Sequence, residues 1–427
     1  MMMKHDFIRD MRQIFLGLVL GFSIFINQSE AAESNLNTVF SLAKINDPKY
    51  AVAGADKTLN KFQSTLAYSA YAPSLTSTFQ DYIAGTSPIQ NQNSISITQP
   101  LIDLEKYEQF KEGAPKEAYA EAVYMTQEQD LASRCFTAVA ALITQNQAIK
   151  SNNVRINTLQ KQLDRIRRMI DLGYGTITDE RDIKVRFEQA QANGVTLELN
   201  RRNAITQLMT LTKKSIDASD FELPESHSLK GQFEINGLLA KVLESNPNLT
   251  AARKSEEISM LEASRARKNI FPTLSVVQGK RWGDMFNDQT TILTLSMPLD
   301  APRVIGGLSA GAQEQKAFET RRQVEEQTIM LTNQLYESVV LGRDALENKK
   351  IAVEAAKRSV EANERSLIAG VRTTIEVLNS IDTLYQTRND YATTALNLGN
   401  SYLNLLLISG ETPTDAIAQT QHFLFGT

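Results

Sequence analysis

Apolar positions in this chain change period several times. Those changes divide it into long helices separated by short strands. From about Leu36 to Tyr71 the spacing is helical. From Ser74 to Ile83 it becomes alternating, with Leu75, Phe79 and Ile83 on one face and Ser74, Thr76, Thr78 and Gln80 on the other. Ile89 to Thr98 continues the alternation after the turn signal Gly85-Thr86-Ser87-Pro88. A very long helical pattern follows, about Leu104 to Leu172. The sequence then repeats itself: alternation over Thr273–Lys280 and Thr290–Met297, with Trp282-Gly283-Asp284 in the connection, and a second long helix over about Val304–Ala369. Gly113, Pro115 and the pair Gly306-Gly307 suggest irregular helix starts.

The long segments carry coiled-coil seams. Val339, Leu346, Val353, Val360 and Leu367 recur every seventh residue. Ile183, Phe187, Ala190, Gly194, Leu197, Ala204, Leu208 and Leu211 follow alternating steps of three and four, broken only at Arg201, and Leu378, Tyr385, Ala392 and Leu406 keep heptad spacing. Sixty-odd residues at a rise of about 1.5 Å make a rod of roughly 100 Å. Two shorter helices laid end to end would match one long one. The join would fall in the polar stretch Lys213–Gln232, around Pro224, with the chain termini beside it in an irregular belt.

Two short segments between the rods look alike. Gly370-Val371-Arg372-Thr373-Thr374-Ile375-Glu376-Val377-Leu378 combines a glycine suited to ending a helix with a threonine and a glutamate suited to starting the next. Gly173-Tyr174-Gly175-Thr176-Ile177-Thr178-Asp179 repeats that grammar. Both helix–strand junctions match too. Asn46-Asp47-Pro48 precedes Pro73 as Asn246-Pro247 precedes Pro272, each proline pair 25 residues apart (48 to 73, 247 to 272). Single prolines at helix starts and ends are common, but equal spacing alongside matching tips points to a duplicated unit.

Net charge is −4, from 45 basic and 49 acidic residues, and gives no reason to expect a nucleic-acid partner. Lys4, Arg9 and Arg12 precede the apolar run Ile14–Ile26, and Ser29-Glu30-Ala31, with Ala32 as an alternative, offers a cleavage site. This reads as a secretory signal peptide over residues 1–31, too short to span a bilayer. No lipoprotein cysteine stands there. Beyond it no apolar run has transmembrane length, so a membrane-spanning part must be made of strands. Four strands form no independent core. Their alternation suits either a half-buried antiparallel sheet or a transmembrane barrel with Tyr71, Tyr82, Trp282 and Phe286 in aromatic girdles. Three chains would supply twelve strands.

Cys135, the single cysteine, is expected in the core, and His5, His227 and His422 form no metal spacing. No Ser–His–Asp arrangement, phosphate loop or paired acids mark an enzyme, so no catalytic, metal or cofactor residues are expected. The competing reading is a soluble periplasmic coiled-coil structural or adaptor protein, which would need no detergent.

The duplicated Asn-Pro helix starts, the proline-flanked strand pairs and the two Gly…Thr…acid tips together resemble the TolC family of outer-membrane efflux and secretion channels. The resemblance covers the whole mature chain. It implies a mainly α fold with a transmembrane β part. The repeats would be 32–232 and 233–427, each a helix, two strands, a long helix, a tip and a helix. In a homotrimer the long helices would build a periplasmic α-barrel and the strands a twelve-stranded β-barrel in outer-membrane lipid. It implies a periplasmic adaptor (membrane fusion) protein and an inner-membrane ABC or RND-type transporter as partners, no cofactor, and a passive exit duct for proteins, small toxic molecules or both.

By position in that family, Asp179 and Arg372, with Thr178 beside them, would latch the periplasmic end. Glu376 and Asn379 would face the pore constriction. Gly173, Gly175, Gly370 and Thr374 would shape the hairpin tips. Two residues depart from the family pattern: Asn379 where relatives carry a second acid, and Leu367 where they carry a tyrosine of the gate. A weaker negative ring and a differently held closed state would follow.

Overall fold

A computed structural model describes residues 35–80, 92–214, 221, 223, 235–283 and 287–425. The signal peptide, the turn at Gly85–Pro88 with Tyr82 and Ile83, Asp284 and Phe286, and all of Lys213–Gln232 except Lys213, Lys214, Phe221 and Leu223 lie outside them. The helices are α1 Leu36–Asn46, α2 Pro48–Tyr68, α3 Leu104–Lys111, α4 Gly113–Asp171, α5 Ile177–Thr212, α6 Ile235–Ser245, α7 Pro247–Lys268, α8 Ala301–Ile368, α9 Thr374–Ile408 and α10 Pro413–Phe425. The strands are β1 Ser74–Gln80, β2 Gln92–Ile102, β3 Thr273–Gly283 and β4 Asn287–Ser296. The sequence of helix, helix, strand, strand, long helix, helix runs twice, and α10 follows the second run.

Caps explain where helices begin. Pro48 and Pro247 open α2 and α7. Asp47 accepts from the Tyr50 N–H and Asn246 from the Leu249 N–H. The two copies then diverge. Asp47 is bound by Arg134 of α4 at 2.8 Å, whereas Asn246 donates to the Ile408 carbonyl at 2.9 Å. Arg134 also reaches Asp130 at 2.8 Å.

The long helices differ in their starts. The first is interrupted at Glu112, with Pro115 in the first turn of α4, as the sequence suggested. The second is not: α8 runs unbroken through Gly306-Gly307 from its Asp300 cap and Pro302. Gly307 lies against the Ala266 carbonyl, where a β-carbon would come within 3.4 Å, so it provides close packing on α7 rather than a break.

Strand order is β1-β2-β3-β4, antiparallel throughout. Strand limits shift from the sequence reading: β2 passes through Pro100, where the register slips, and Trp282 and Gly283 belong to β3. Pairing puts Leu75, Phe79, Ile95, Ile97, Val276, Leu293 and Leu295 on one face, and Ser74, Thr76, Thr78, Ser94, Ser96, Thr98, Thr290 and Thr294 on the other. The apolar face is interrupted by Gln278 and Lys280, opposite Thr291 and Gln289. Trp282 meets Phe79 edge-on at 6.2 Å at one end of the sheet, and Tyr71 donates to the Asp103 carbonyl at the other.

Below the sheet the helices stand in a row, α2–α4–α7–α8; beyond the middle the row is α5–α4–α9–α8. At the changeover lies the main core. It joins Leu36, Val39 and Phe40 of α1, Leu131 to Ile143 of α4, Leu208, Phe221, Leu403 and Leu407, and Ala416, Ile417 and Leu424 of α10. Thus the polar belt stretch contains a buried anchor, Phe221, and the expected C-terminal tail contains a packed helix. Gly410 turns the chain from α9 into α10 at φ +83°, with Ser245 too close for any side chain. Cys135 is buried in this core, and burial pushes its thiol up to about 12.

Each row has two free edges. Val52, Leu59, Phe62 and Leu66 on α2, Val185, Val195 and Leu199 on α5, and Leu308, Leu331, Val340, Leu341 and Ile351 on α8 are exposed large apolar side chains. Covering one such side chain is worth about 1.5–3 kcal/mol. β1 and β4 each have an unpaired side.

The Asp47–Arg134 pair gives a stability prediction. Burial opposes ionisation of Asp47, but the Arg134 guanidinium and the Tyr50 N–H outweigh it and hold the carboxyl below its ordinary value of 3.8. Asp47→Ala loses a cap and strands Arg134, for about 2–3 kcal/mol. Urea or heat denaturation should show that loss at pH 7. Since the folded value is the lower one, wild type keeps the contribution above the ordinary aspartate value and loses it as pH falls through the lowered value. The gap between wild type and variant should therefore close in acid; a constant gap would contradict the ionic origin.

Candidate functional site

Both tips are built by the same backbone device. α4 ends with Gly173 at φ +80° and α8 with Gly370 at φ +74°. The Tyr174 N–H donates to the Met169 carbonyl at 2.8 Å and the Val371 N–H to the Ser366 carbonyl at 2.9 Å, while Gly173 and Gly370 donate to Ile170 and Leu367. This is the Schellman arrangement, which closes a helix end and reverses the chain. Gly175 has no room for a β-carbon against Ile170. Thr176 then caps α5, accepting from the Asp179 N–H at 3.1 Å. Thr373 caps α9 in a full capping box with Glu376.

The tips are therefore rigid, and their charges have local partners. Arg372 forms an ion pair with Glu376 one turn on. The Glu376 carboxylate also accepts from the Thr373 N–H at 2.8 Å, and that bond and Arg372 hold its pKa below the ordinary glutamate value. Asp179 accepts from the Thr176 hydroxyl at 2.5 Å. Within the chain Asp179 and Arg372 do not bond to each other; each belongs to its own tip. Thr178 and Thr374 occupy the first turns of α5 and α9. Leu172, Tyr174, Ile177, Ile368, Val371 and Ile375 form an exposed apolar rim around both tips.

The charges that join the two hairpins sit farther up. Asp382 of α9 accepts from Arg155 of α4 at 2.7 Å and from Arg186 of α5 at 2.6 Å. Arg186 also donates to Asn379 at 3.2 Å, so Asn379 is engaged with α5. Arg155 lies over the Tyr385 ring at 5.3 Å, and Asn193 donates to the Tyr385 hydroxyl at 3.2 Å. Arg155 is largely buried and Asp382 about one quarter exposed. One carboxylate thus bolts α9 to both α4 and α5. Beside it Leu378 enters the α4–α5 seam with Leu159, Leu163, Ile166, Ile183 and Ala190. Leu367 packs in the smaller α8–α9 cluster of Val360, Val377 and Ile381. Gln162 donates to Glu364 at 3.1 Å across α4 and α8.

Sequence reasoning missed the bolt. Its three charges lie 31 and 196 residues apart (155 to 186, 186 to 382), and nothing local marks them. The one available signal was the position of Asp382, four residues after Leu378 and three before Tyr385, which puts a charge on the face of that seam. Among the described residues no group of histidine, cysteine and acids could hold a metal ion, and no helix is long and apolar enough to cross a membrane.

Residues 238–411 match the family described as outer membrane efflux protein. Outer membrane protein TolC of Escherichia coli (strain K12) is 21% identical over 91% of this chain and 85% of its own length. The alkaline protease secretion protein AprF of Pseudomonas aeruginosa is 21% identical over 94% of this chain and 89% of its own. Among solved structures, the CmeC outer membrane channel of Campylobacter jejuni covers 92% of this chain and 90% of its own with TM-score 0.74 at 14% identity. The outer membrane protein VceC of Vibrio cholerae covers 88% and 96% with TM-score 0.73 at 17% identity. The matched region holds the second strand pair, the second tip and the bolt carboxylate, and the relatives carry the likeness through the first half as well: nearly the whole chain is similar to TolC-like outer-membrane channel proteins, and its second half matches the outer membrane efflux protein family.

Proposed function

We propose that this chain is the outer-membrane channel subunit of a tripartite export system, a passive exit duct gated at its helix tips. The observation that carries the reading is the pair of free edges. The β1/α2/α5 edge and the β4/α8 edge are different surfaces of one chain. A head-to-tail contact between them, repeated by rotation, closes a ring. Three chains give twelve strands, closed into a barrel with no unpaired edge, above twelve helices in a cylinder. We read the chain as two repeats, 32–232 and 233–427, which explains why one protomer supplies two nearly equivalent sectors. The apolar sheet face then meets outer-membrane lipid and the Ser/Thr face lines the duct, while the helices extend into the periplasm. A periplasmic adaptor and an inner-membrane transporter supply the energy and the cargo. The name of the relative AprF favours proteins among the cargoes.

In the closed state the tips of three protomers meet near the axis. Arg372 uses part of its donor fork on Glu376 and, half exposed, has others to offer Asp179 and Thr178 of the neighbouring protomer. Glu376 and Asn379 narrow the pore. The ring is weakly negative, since each Glu376 has a cation beside it and Asn379 adds none. Opening requires α8 and α9 to move away from α4 and α5, which the Asp382 bolt resists.

Single-channel recording in a planar bilayer tests each part. Arg372→Ala and Asp179→Ala should each raise the closed-state conductance; no change in either would remove the latch. Glu376→Ala leaves Arg372 unpaired at the constriction, so cation selectivity should fall and the reversal potential in a salt gradient should move accordingly. An unmoved potential would contradict the ring. Asp382→Asn strands two arginines at a partly buried site. About 1–2 kcal/mol of lost closure corresponds to roughly a tenfold rise in the open-to-closed ratio. Trimers that stay intact but show no longer openings would assign the bolt to stability alone.

A further inference from the structure

The apolar face of the sheet carries a polar patch. On β3 and β4 its layers run, from the helices outward, Leu274 with Leu295, Val276 with Leu293, Gln278 with Thr291, Lys280 with Gln289, and Trp282 with Asn287. Successive layers are about 7 Å apart. On the neighbouring β2, Ile97 and Ile95 fill the levels of Gln278 and Lys280. The change from apolar to polar is therefore confined to β3 and β4, toward the end of the sheet away from the helices.

Among the described residues Lys280 is the only charged residue on this face. The opposite face settles its charges internally, Arg281 pairing with Asp288 at 2.6 Å. Lys280 has no acid within ion-pair distance among the described residues, and the side chains of Gln278, Gln289 and Thr291 make no hydrogen bond there. All four are exposed. A cation and three polar groups turned toward hydrocarbon carry a desolvation cost, which falls when the membrane supplies partners for them.

Height along the strands selects the part of a lipid that meets them. Trp282, edge-on to Phe79, marks the outer end of the sheet, and aromatic rings sit at the membrane boundary. Lys280 lies one layer inside that boundary, and its four-carbon stem reaches back to it. There it meets head groups. The patch is one strand spacing wide, about 5 Å, and two layers deep. That is more than one phosphate covers and about what a sugar ring covers. Below it, Val276, Leu293, Leu274 and Leu295 form an apolar track in the direction acyl chains run.

We propose that Lys280, Gln278, Gln289 and Thr291 bind a phosphorylated, acylated sugar lipid of the outer leaflet. Its phosphate sits on Lys280, its sugar hydroxyls and amides on the three neighbours, and its acyl chains along the leucines and valine below. The site is complete within one protomer. The proposal rests on the duct reading, which puts this face in lipid and the end away from the helices at the cell surface.

The test uses the purified full-chain trimer in non-ionic detergent with added diphosphorylated lipid A, bound lipids being counted by native mass spectrometry. Wild type should retain lipid A. Lys280→Gln should lower the retained fraction by about tenfold or more, Lys280→Arg should keep it, and Lys161→Gln, a charge removed from α4, should leave it unchanged. Gln278→Leu with Gln289→Leu and Thr291→Val keeps the lysine and should lose the preference for lipid A over phosphatidylglycerol. Equal retention by wild type and Lys280→Gln would overturn the proposal. So would equal retention of lipid A stripped of its phosphates, or of phosphatidylglycerol by wild type, which makes the patch a general lipid contact. Oligomer mass and pore formation on the same preparation separate the two readings. A soluble monomer without a pore overturns the duct reading and this proposal with it, whereas a pore-forming trimer that ignores lipid A overturns this proposal alone.

Discussion

A row of helices one layer thick cannot bury itself. Stable domains pack two layers around a shared core, and here only the belt of α1, α10, Phe221 and the neighbouring helices approaches that arrangement. Elsewhere the apolar stripes of α2, α5 and α8 face outward, and the four-stranded sheet leaves β1 and β4 open. On the duct reading proposed above, the missing second surface is another copy of the chain. On that reading the same constraint produces the duct: protomers that join edge to edge in a ring enclose an axis, and the lumen is the space no side chain fills. Stability and assembly are then one quantity, and protomer concentration enters both.

Electrostatic interactions divide between shape and movement. At the tips, Thr176 with Asp179 and Thr373 with Glu376 satisfy backbone donors within a single turn. They fix the reversal of the chain without tying one hairpin to the other. The Arg155–Asp382–Arg186 bolt does the opposite. It spans three helices at a partly buried site, where breaking one partner costs far more than at the exposed tip. On the duct reading proposed above, gating has two layers: separately capped tips that meet at the axis, and a charge clasp higher up that sets how readily α8 and α9 part from α4 and α5.

Features written in local chemistry were legible in the sequence. The two tips, the proline-opened helices and the heptads that become Val339, Leu346 and Val360 of the core all follow from caps, fixed φ and periodicity. Features that depend on distant partners were not. Gly306-Gly307 resembles a helix break until α7 is seen packed against it. Phe221 sits in a polar, proline-containing stretch, and its burial depends on α1, α4 and α10 gathering around it. The pairing proposed for Asp179 and Arg372 came from the family likeness, and within one chain each finds a nearer partner. The bolt was invisible because its charges resemble ordinary surface charges in a rod-like helix.

The most direct test of the account is the conductance of the purified wild-type protein in a planar bilayer. A ring of three protomers, closed at weakly acidic tips, predicts a detergent-dependent trimer that inserts and forms a small pore preferring cations. Protein that stays in solution without detergent and forms no pore would contradict it, and would make the same helices a coiled-coil scaffold with an ordinary half-buried sheet.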